Sequence, residues 1–144
     1  TLRDLEKYAV KAGGGFNHRF GLFDAMLLKD NHIAAAGGVT KAFQRARGMC
    51  PDNMRLQVEV DTIQQLREAL DAGADMILLD NMSVKDVGVA VALVGGQARL
   101  EVTGGVTLAN VRGFAQAGVD DISVGALTHS ARAVDIGLDI PSWK

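Results

Sequence analysis

Short apolar runs recur down this chain, each followed by a stretch of helical periodicity, and this alternation constrains the fold more than any other feature. Residues 25–28, 56–60, 76–79, 100–102 and 122–124 read as strands of a parallel sheet. Leu2, Leu5, Ala9 and Ala12 mark one face of a first helix, which stops at Gly13-Gly14-Gly15. Residues 39–48 read as a helix with Pro51 beyond it as a stop. Ile63, Leu66 and Leu70 line another that ends at Gly73, and Val84, Val87, Val91 and Val94 another that ends at Gly95-Gly96. Leu108, Val111 and Ala115 share a face ahead of Gly118, while residues 133–140 fit a closing strand or a short helix equally. Strand ends fall near positions 29, 60, 80, 103 and 125, and the later intervals are each about 20 residues, close to one compact strand-plus-helix unit. Such units build parallel sheets with right-handed crossovers. A barrel and an open doubly wound sheet both fit, and no G-x-G-x-x-G follows a strand to favour a dinucleotide fold. No linker or second domain interrupts the pattern, so residues 1–144 read as one α/β domain. Because the chain opens at Thr1 rather than Met, residues upstream are expected.

Composition narrows the function classes. The 144 residues carry a net charge of −2, which argues against a broad nucleic-acid surface, and aromatics are only 5%, too few for base-stacking platforms. No apolar run reaches the roughly 18 residues of a membrane span. Cys50 is the single cysteine, so no internal disulfide forms, which fits a reducing cytoplasm. No Cys or His spacing resembles a zinc site, and Ser123 and His129 lack a nucleophile-elbow context.

In α/β proteins ligands bind at the carboxyl ends of the strands, and reading only those positions gives a coherent set. His18 and Arg19 lie in a glycine-rich loop before the first strand, and Lys29-Asp30-Asn31-His32 follow it. Cations gathered there in a slightly acidic chain point to a small, multiply charged anion, such as a substrate with more than one carboxylate. Glu59 sits within an otherwise apolar strand and Asp80 directly follows another. Carboxylates at neighbouring strand tips suit Mg²⁺ shared with phosphate oxygens, or sugar hydroxyls. The plainer readings are a salt bridge from Glu59 to Lys29 and a helix cap or turn made by Asp80 before Ser83. Thr103-Gly104-Gly105, with a helix capped near Thr107, and Gly125, with His129 shortly after it, have the glycine content of a phosphate cradle. The remaining basic residues, Lys7, Lys11, Arg45 and Arg67 among them, read as solvated helix faces.

The strings LRDLEKYAVKAGGGFNHRFGLFDAMLLKDNHI, VEVDT, ADMILLDNMS, LEVTGGVTLANV and GVDDISVGALTHSA cover nearly the whole chain in order. On them the chain resembles the catalytic domain of the quinolinate phosphoribosyltransferases. The resemblance implies an open or incomplete TIM-like (β/α) barrel, here without the family's amino-terminal α/β domain and its Thr-Arg-Lys-Thr segment. It implies transfer of phosphoribose from phosphoribosyl pyrophosphate to quinolinate with decarboxylation, giving nicotinate mononucleotide, pyrophosphate and CO₂. Mg²⁺ is the implied cofactor, with no organic cofactor. It makes His18, Arg19 and Lys29 the quinolinate ligands and Lys29, Glu59 and Asp80 the catalytic residues. Glu59 and Asp80 also handle Mg²⁺, directly or through the substrate. Thr103, Gly104, Gly105 and Gly125 fall on the phosphate loops, with His129 at their edge; threonine replaces the family's usual serine at 103 and keeps the hydroxyl. Expected partners are the two substrates and a second copy of the chain, in a homodimer or higher oligomer with shared active sites, in the cytoplasm. The other readings are a related transferase acting on a different aromatic acid, and a non-catalytic phosphate-binding barrel fragment.

Overall fold

The computed structural model describes residues 2–140. Five parallel strands, β1 (Ala25–Leu28), β2 (Arg55–Val60), β3 (Met76–Asp80), β4 (Arg99–Thr103) and β5 (Asp121–Ile122), form one sheet in the order β1-β2-β3-β4-β5. This order decides between the two architectures left open by the alternation. A doubly wound sheet reverses direction at a switch point; here every strand adds on the same side of the last, as in a (β/α) barrel. The sheet is not closed, and β1 and β5 are its edges among the described residues.

Helices α1 (Leu2–Ala12), α2 (Asp30–Ala36), α3 (Val39–Met49), α4 (Ile63–Asp71), α5 (Val84–Val94), α6 (Val111–Ala117) and α7 (Ala126–His129) complete the chain. Neighbours α3, α4, α5 and α6 touch in sequence order and lie as one layer against the sheet. Their starts are locally encoded: the Thr62 hydroxyl accepts the Gln65 N–H at 3.2 Å and the Ser83 hydroxyl accepts the Asp86 N–H at 3.1 Å.

Strand register sorts the side chains by chemistry. In parallel pairs, register partners point to the same face. Leu28, Leu56, Val58, Val60, Ile77, Leu79, Leu100 and Val102 lie on the face packed against Val39, Phe43, Leu66, Val87, Ala90, Val94 and Phe114 of the helices, and this is the core. The alternate positions, Gln57, Glu59, Asp80, Glu101 and Thr103, share the opposite face with Leu78. The strands therefore keep a period of two, with one oily face and one polar face.

Several elements depart from the expectations. A helix that the reading did not include follows β1 directly: Asp30 begins α2, and the Lys29 N–H donates to His32 Nδ1 at 2.9 Å. That bond occupies His32 Nδ1 locally. α6 begins at Val111 rather than near Thr107, because Asn110 ties the preceding turn, accepting the Thr107 N–H at 2.7 Å and donating to the Gly105 carbonyl at 3.0 Å. Leu108, in that turn, is 98% exposed instead of facing the core. β5 ends at Ile122, α7 was not foreseen, and residues 133–140 adopt neither strand nor helix. The apolar face of α1 is real, but the helix buries none of its residues.

Candidate active site

The candidate site residues stand at the carboxyl ends of β1 to β4. Lys29 follows β1, and its Nζ lies 3.6 Å from Glu59 Oε2 on β2. The plainer reading of Glu59, a salt bridge, is thus realised, and it joins two of the expected catalytic residues. Burial pushes the Glu59 carboxyl above its ordinary range; Lys29 opposes this and the nearby Asp80 charge adds to it. Two carboxylates that repel each other beside one ammonium favour the arrival of another cation.

Asp80 does not cap α5, since Ser83 does. Its carboxylate instead accepts from Asn81 Nδ2 at 2.8 Å. Asn81 has φ +53°, the one positive φ outside glycine among the described residues. Its N–H donates to the Thr103 carbonyl at 3.0 Å, which clamps the end of β3 to the end of β4. Gly104 sits against this clamp with φ +87°, and a Cβ there would collide with the Asn81 side chain and backbone. The Gly-Gly turn is therefore dictated by close approach as well as by backbone angle. Gly105, φ +60°, meets nothing within 4 Å. The Ser123 N–H donates to the Val102 carbonyl at 2.8 Å, bringing the chain after β5 alongside this turn. A Cβ on Gly125 would press on the His129 ring at 3.1 Å, and His129 Nδ1 lies 2.7 Å from the Ser130 hydroxyl.

The loop before β1 crosses the polar face. His18 Nε2 lies 3.6 Å from Glu101 Oε1 on β4. Glu101 also accepts from Gln57 Nε2 at 2.8 Å and is closely hydrogen-bonded by the Ser123 hydroxyl. Lys7 holds the loop from α1, donating to the carbonyls of His18 and Arg19, each at 3.1 Å; it is not simply a solvated helix cation. Asn17 Nδ2 returns a bond to the Lys7 carbonyl at 3.0 Å. Arg19 lines a cleft of about 360 Å³ with Arg3, Phe20, Gly21 and Leu22. The three expected quinolinate ligands thus have separate settings: His18 faces Glu101, Lys29 faces Glu59, and Arg19 borders the cleft.

Glu101 and Gln57 join Ser123 and Asn81 as polar neighbours of the site, and strand-end positions alone do not pick out the first pair. The signal for the first two lay in the strands, because RLQVEV and RLEVT alternate polar and apolar residues. That period of two places Gln57 with Glu59 and Glu101 with Thr103.

The family described as quinolinate phosphoribosyl transferase, C-terminal domain, matches residues 1–139. The chain belongs to the quinolinate phosphoribosyltransferase family. Among the relatives of this family, a probable nicotinate-nucleotide pyrophosphorylase [carboxylating] of Bacillus subtilis is 47% identical over 96% of this chain and 48% of its own length. A probable enzyme of the same name from Methanocaldococcus jannaschii is 43% identical over 99% of this chain and 53% of its own. The solved nicotinate-nucleotide pyrophosphorylase from Ehrlichia chaffeensis superposes with a TM-score of 0.90, 48% identity, and coverage of 96% of this chain and 50% of that one. The chain thus spans about half the length of the relatives it matches. A mandelate oxidase, 21% identical with a TM-score of 0.52 over 61% of this chain, shares the fold alone.

The donor set suits a hard cation carried with substrate. Glu59 and Asp80 offer carboxylate oxygens, and the described residues contain no group of three or more His, Cys, Asp or Glu able to hold a metal by themselves. Mg²⁺ commonly uses one or two carboxylates plus substrate phosphate oxygens, so these two residues fit it.

Proposed function

We propose that this chain carries the phosphoribosyl-transferring site of a quinolinate phosphoribosyltransferase. The observation that carries the reading is the convergence of Lys29–Glu59, Asp80 and the Thr103-Gly104 turn on one rim of strand ends, within a chain of this family. Phosphoribosyl pyrophosphate lies with its 5′-phosphate on the turns of Thr103, Gly104, Gly105 and Gly125, with His129 at their edge. Glu59 and Asp80 face the ribose and the diphosphate. Both would hold Mg²⁺, which when bound would supply charge neutralisation for the leaving group.

Quinolinate is gripped by its carboxylates through His18, Arg19 and Lys29, which aims its ring nitrogen at the anomeric carbon. The nitrogen lone pair forms the bond to that carbon as the bond to the pyrophosphate oxygen breaks. Glu59 and Asp80 offset the positive charge that develops on the sugar. The ribosylated ring is cationic and accepts the electron pair of the bond to the adjacent carboxylate. CO₂ leaves, and a proton replaces it on the ring carbon. No organic cofactor is needed. A homo-oligomer with shared sites and a cytoplasmic setting belong to the same proposal; no described helix is long and apolar enough to cross a membrane.

The test is turnover by the intact protein with quinolinate, nicotinate and other pyridine acids. The expected result is saturable formation of nicotinate mononucleotide from quinolinate alone, lost by at least about 100-fold in Lys29→Ala and Asp80→Ala. Equal use of a monocarboxylate, or near-normal turnover in either variant, overturns the assignment.

A further inference from the structure

Glu101 is the carboxylate that the proposed chemistry leaves unused, and it is only 7% exposed. Burying a carboxylate is expensive unless it is paired and fully hydrogen-bonded. Here three groups converge on it from three parts of the chain. Gln57 reaches it from β2 at 2.8 Å, the Ser123 hydroxyl comes from beyond β5, and His18 Nε2 lies 3.6 Å away from the loop before β1. Strands two apart lie roughly 10 Å from each other, so Gln57 and Glu101 meet across β3 only because both long side chains rise from the polar face. The arrangement is directional. Glu101 takes the Nε2 side of the His18 ring and leaves Nδ1 on a side chain that is 40% exposed.

We infer that Glu101 is the positioning residue for His18: their pairing at Nε2 orients the imidazole so that Nδ1–H is presented as a donor to a carboxylate of the substrate. A neutral imidazole facing Glu101 through Nε2–H would turn only a bare nitrogen lone pair toward that anion, which repels it. The titration directions agree. Glu101 raises the His18 proton affinity above its ordinary value against the opposing effect of burial, with Gln57 adding to the rise and the Arg19 charge opposing it. Burial alone would push the Glu101 carboxyl up, but the bonds from His18, Gln57 and Ser123 outweigh it and hold it below the usual range. The groups facing His18 are thus Glu101 from β4, Gln57 from β2 and Arg19 in its own loop, with the Lys7 ammonium on its carbonyl.

This role for His18 rests on the reading of the site proposed above, and the experiment separates the two. In the intact protein without ligands, the ¹⁵N shifts of the His18 ring followed against pH are expected to show titration above about 6.5. In Glu101→Gln the midpoint falls by at least about one unit. Kinetically, Glu101→Gln raises the KM for quinolinate about tenfold or more at pH 7.5, with kcat and the KM for phosphoribosyl pyrophosphate nearly unchanged. The penalty shrinks toward pH 6, and in a His18→Gln background Glu101→Gln adds nothing further. A wild-type His18 midpoint at or below 6.5 overturns the inference whether or not Glu101→Gln folds. So does an unchanged midpoint in that variant, or penalties that multiply in the double variant. Absence of quinolinate turnover in the wild type would sink the functional reading, while the ring titration would still decide between Glu101 as the partner of His18 and Glu101 as framework alone.

Discussion

Gly104 shows how much of this site is set by single atoms. At φ +87°, with Asn81 where a Cβ would be, Gly104→Ala meets both backbone strain and a collision, whereas Gly105→Ala at φ +60° meets strain alone. A non-glycine residue in this region costs on the order of 1–3 kcal/mol before any clash. Gly104→Ala is therefore expected to shift the urea midpoint further than Gly105→Ala and to abolish turnover, because the Asn81–Thr103 clamp must open. Equal effects of the two substitutions would show that the approach of Asn81 is unimportant. The His18–Glu101 pair makes a second prediction at this scale, about stability. The folded pKa of His18 is raised, so its contribution is complete below the unfolded value of about 6.5 and is lost as pH climbs through the folded one. The folded pKa of Glu101 is depressed, so its contribution is present above its unfolded value and lost as pH falls through the folded one. The pair thus stabilises most between those limits. The stability gap between wild type and His18→Gln, from urea unfolding, is expected to be wider at pH 6 than at pH 8.5. His18 is half exposed, so the gap is modest.

At the scale of elements, α1 acts as a clamp on a loop more than as a core helix. It buries nothing, yet Lys7 binds the carbonyls of the two residues expected to grip substrate. Lys7→Met is therefore expected to raise the KM for quinolinate several-fold and to speed amide exchange across residues 16–20, with little change in the unfolding midpoint. A fall in kcat with KM intact would place Lys7 in a different role. The elements also show what was legible in the sequence. Parallel strands come through as apolar runs because one face packs on helices, and β1 to β4 fall where those runs stand. The candidate site residues at strand tips were legible for the same reason, since Lys29, Glu59 and Asp80 interrupt or end apolar runs. Glu101 was not, because a carboxylate flanked by Leu100 and Val102 looks like routine alternation, and what distinguishes it is the loop that crosses over it. The link from Asn81 to Thr103 and Asp80 was equally hidden, being a backbone conformation joined to contacts across strands. α2 escaped notice because seven residues give two turns at most, too few for a periodic signal.

Across the described residues the sheet is an open version of a closed architecture. Strand order runs one way from β1 to β5, the helices cover one face, and the polar face carries the candidate site under the loop that holds His18. Most of the large apolar side chains left exposed fall in two segments. Leu2, Leu5, Tyr8, Phe16, Leu22 and Phe23 lie on α1 and the loop after it, and Val134, Ile136, Leu138 and Ile140 lie in the irregular segment after α7. Phe16 is 97% exposed. The tail residues alternate with polar or small ones, the pattern of a strand, yet they make no strand with the described residues. Soluble monomers rarely leave contiguous apolar patches beyond a few hundred Å² uncovered. The 144-residue chain made by itself is therefore expected to self-associate at micromolar concentration and to enhance the fluorescence of an apolar dye, in sedimentation and dye-binding measurements. Replacing Val134, Ile136 and Leu138 together by Ser is expected to reduce both effects while leaving the core unfolding transition in place, since none of the three belongs to the packed cluster. A chain that sediments as a monomer without binding dye would mean that these segments fold back onto the sheet in solution, and the polar face would then be more enclosed than the open architecture implies.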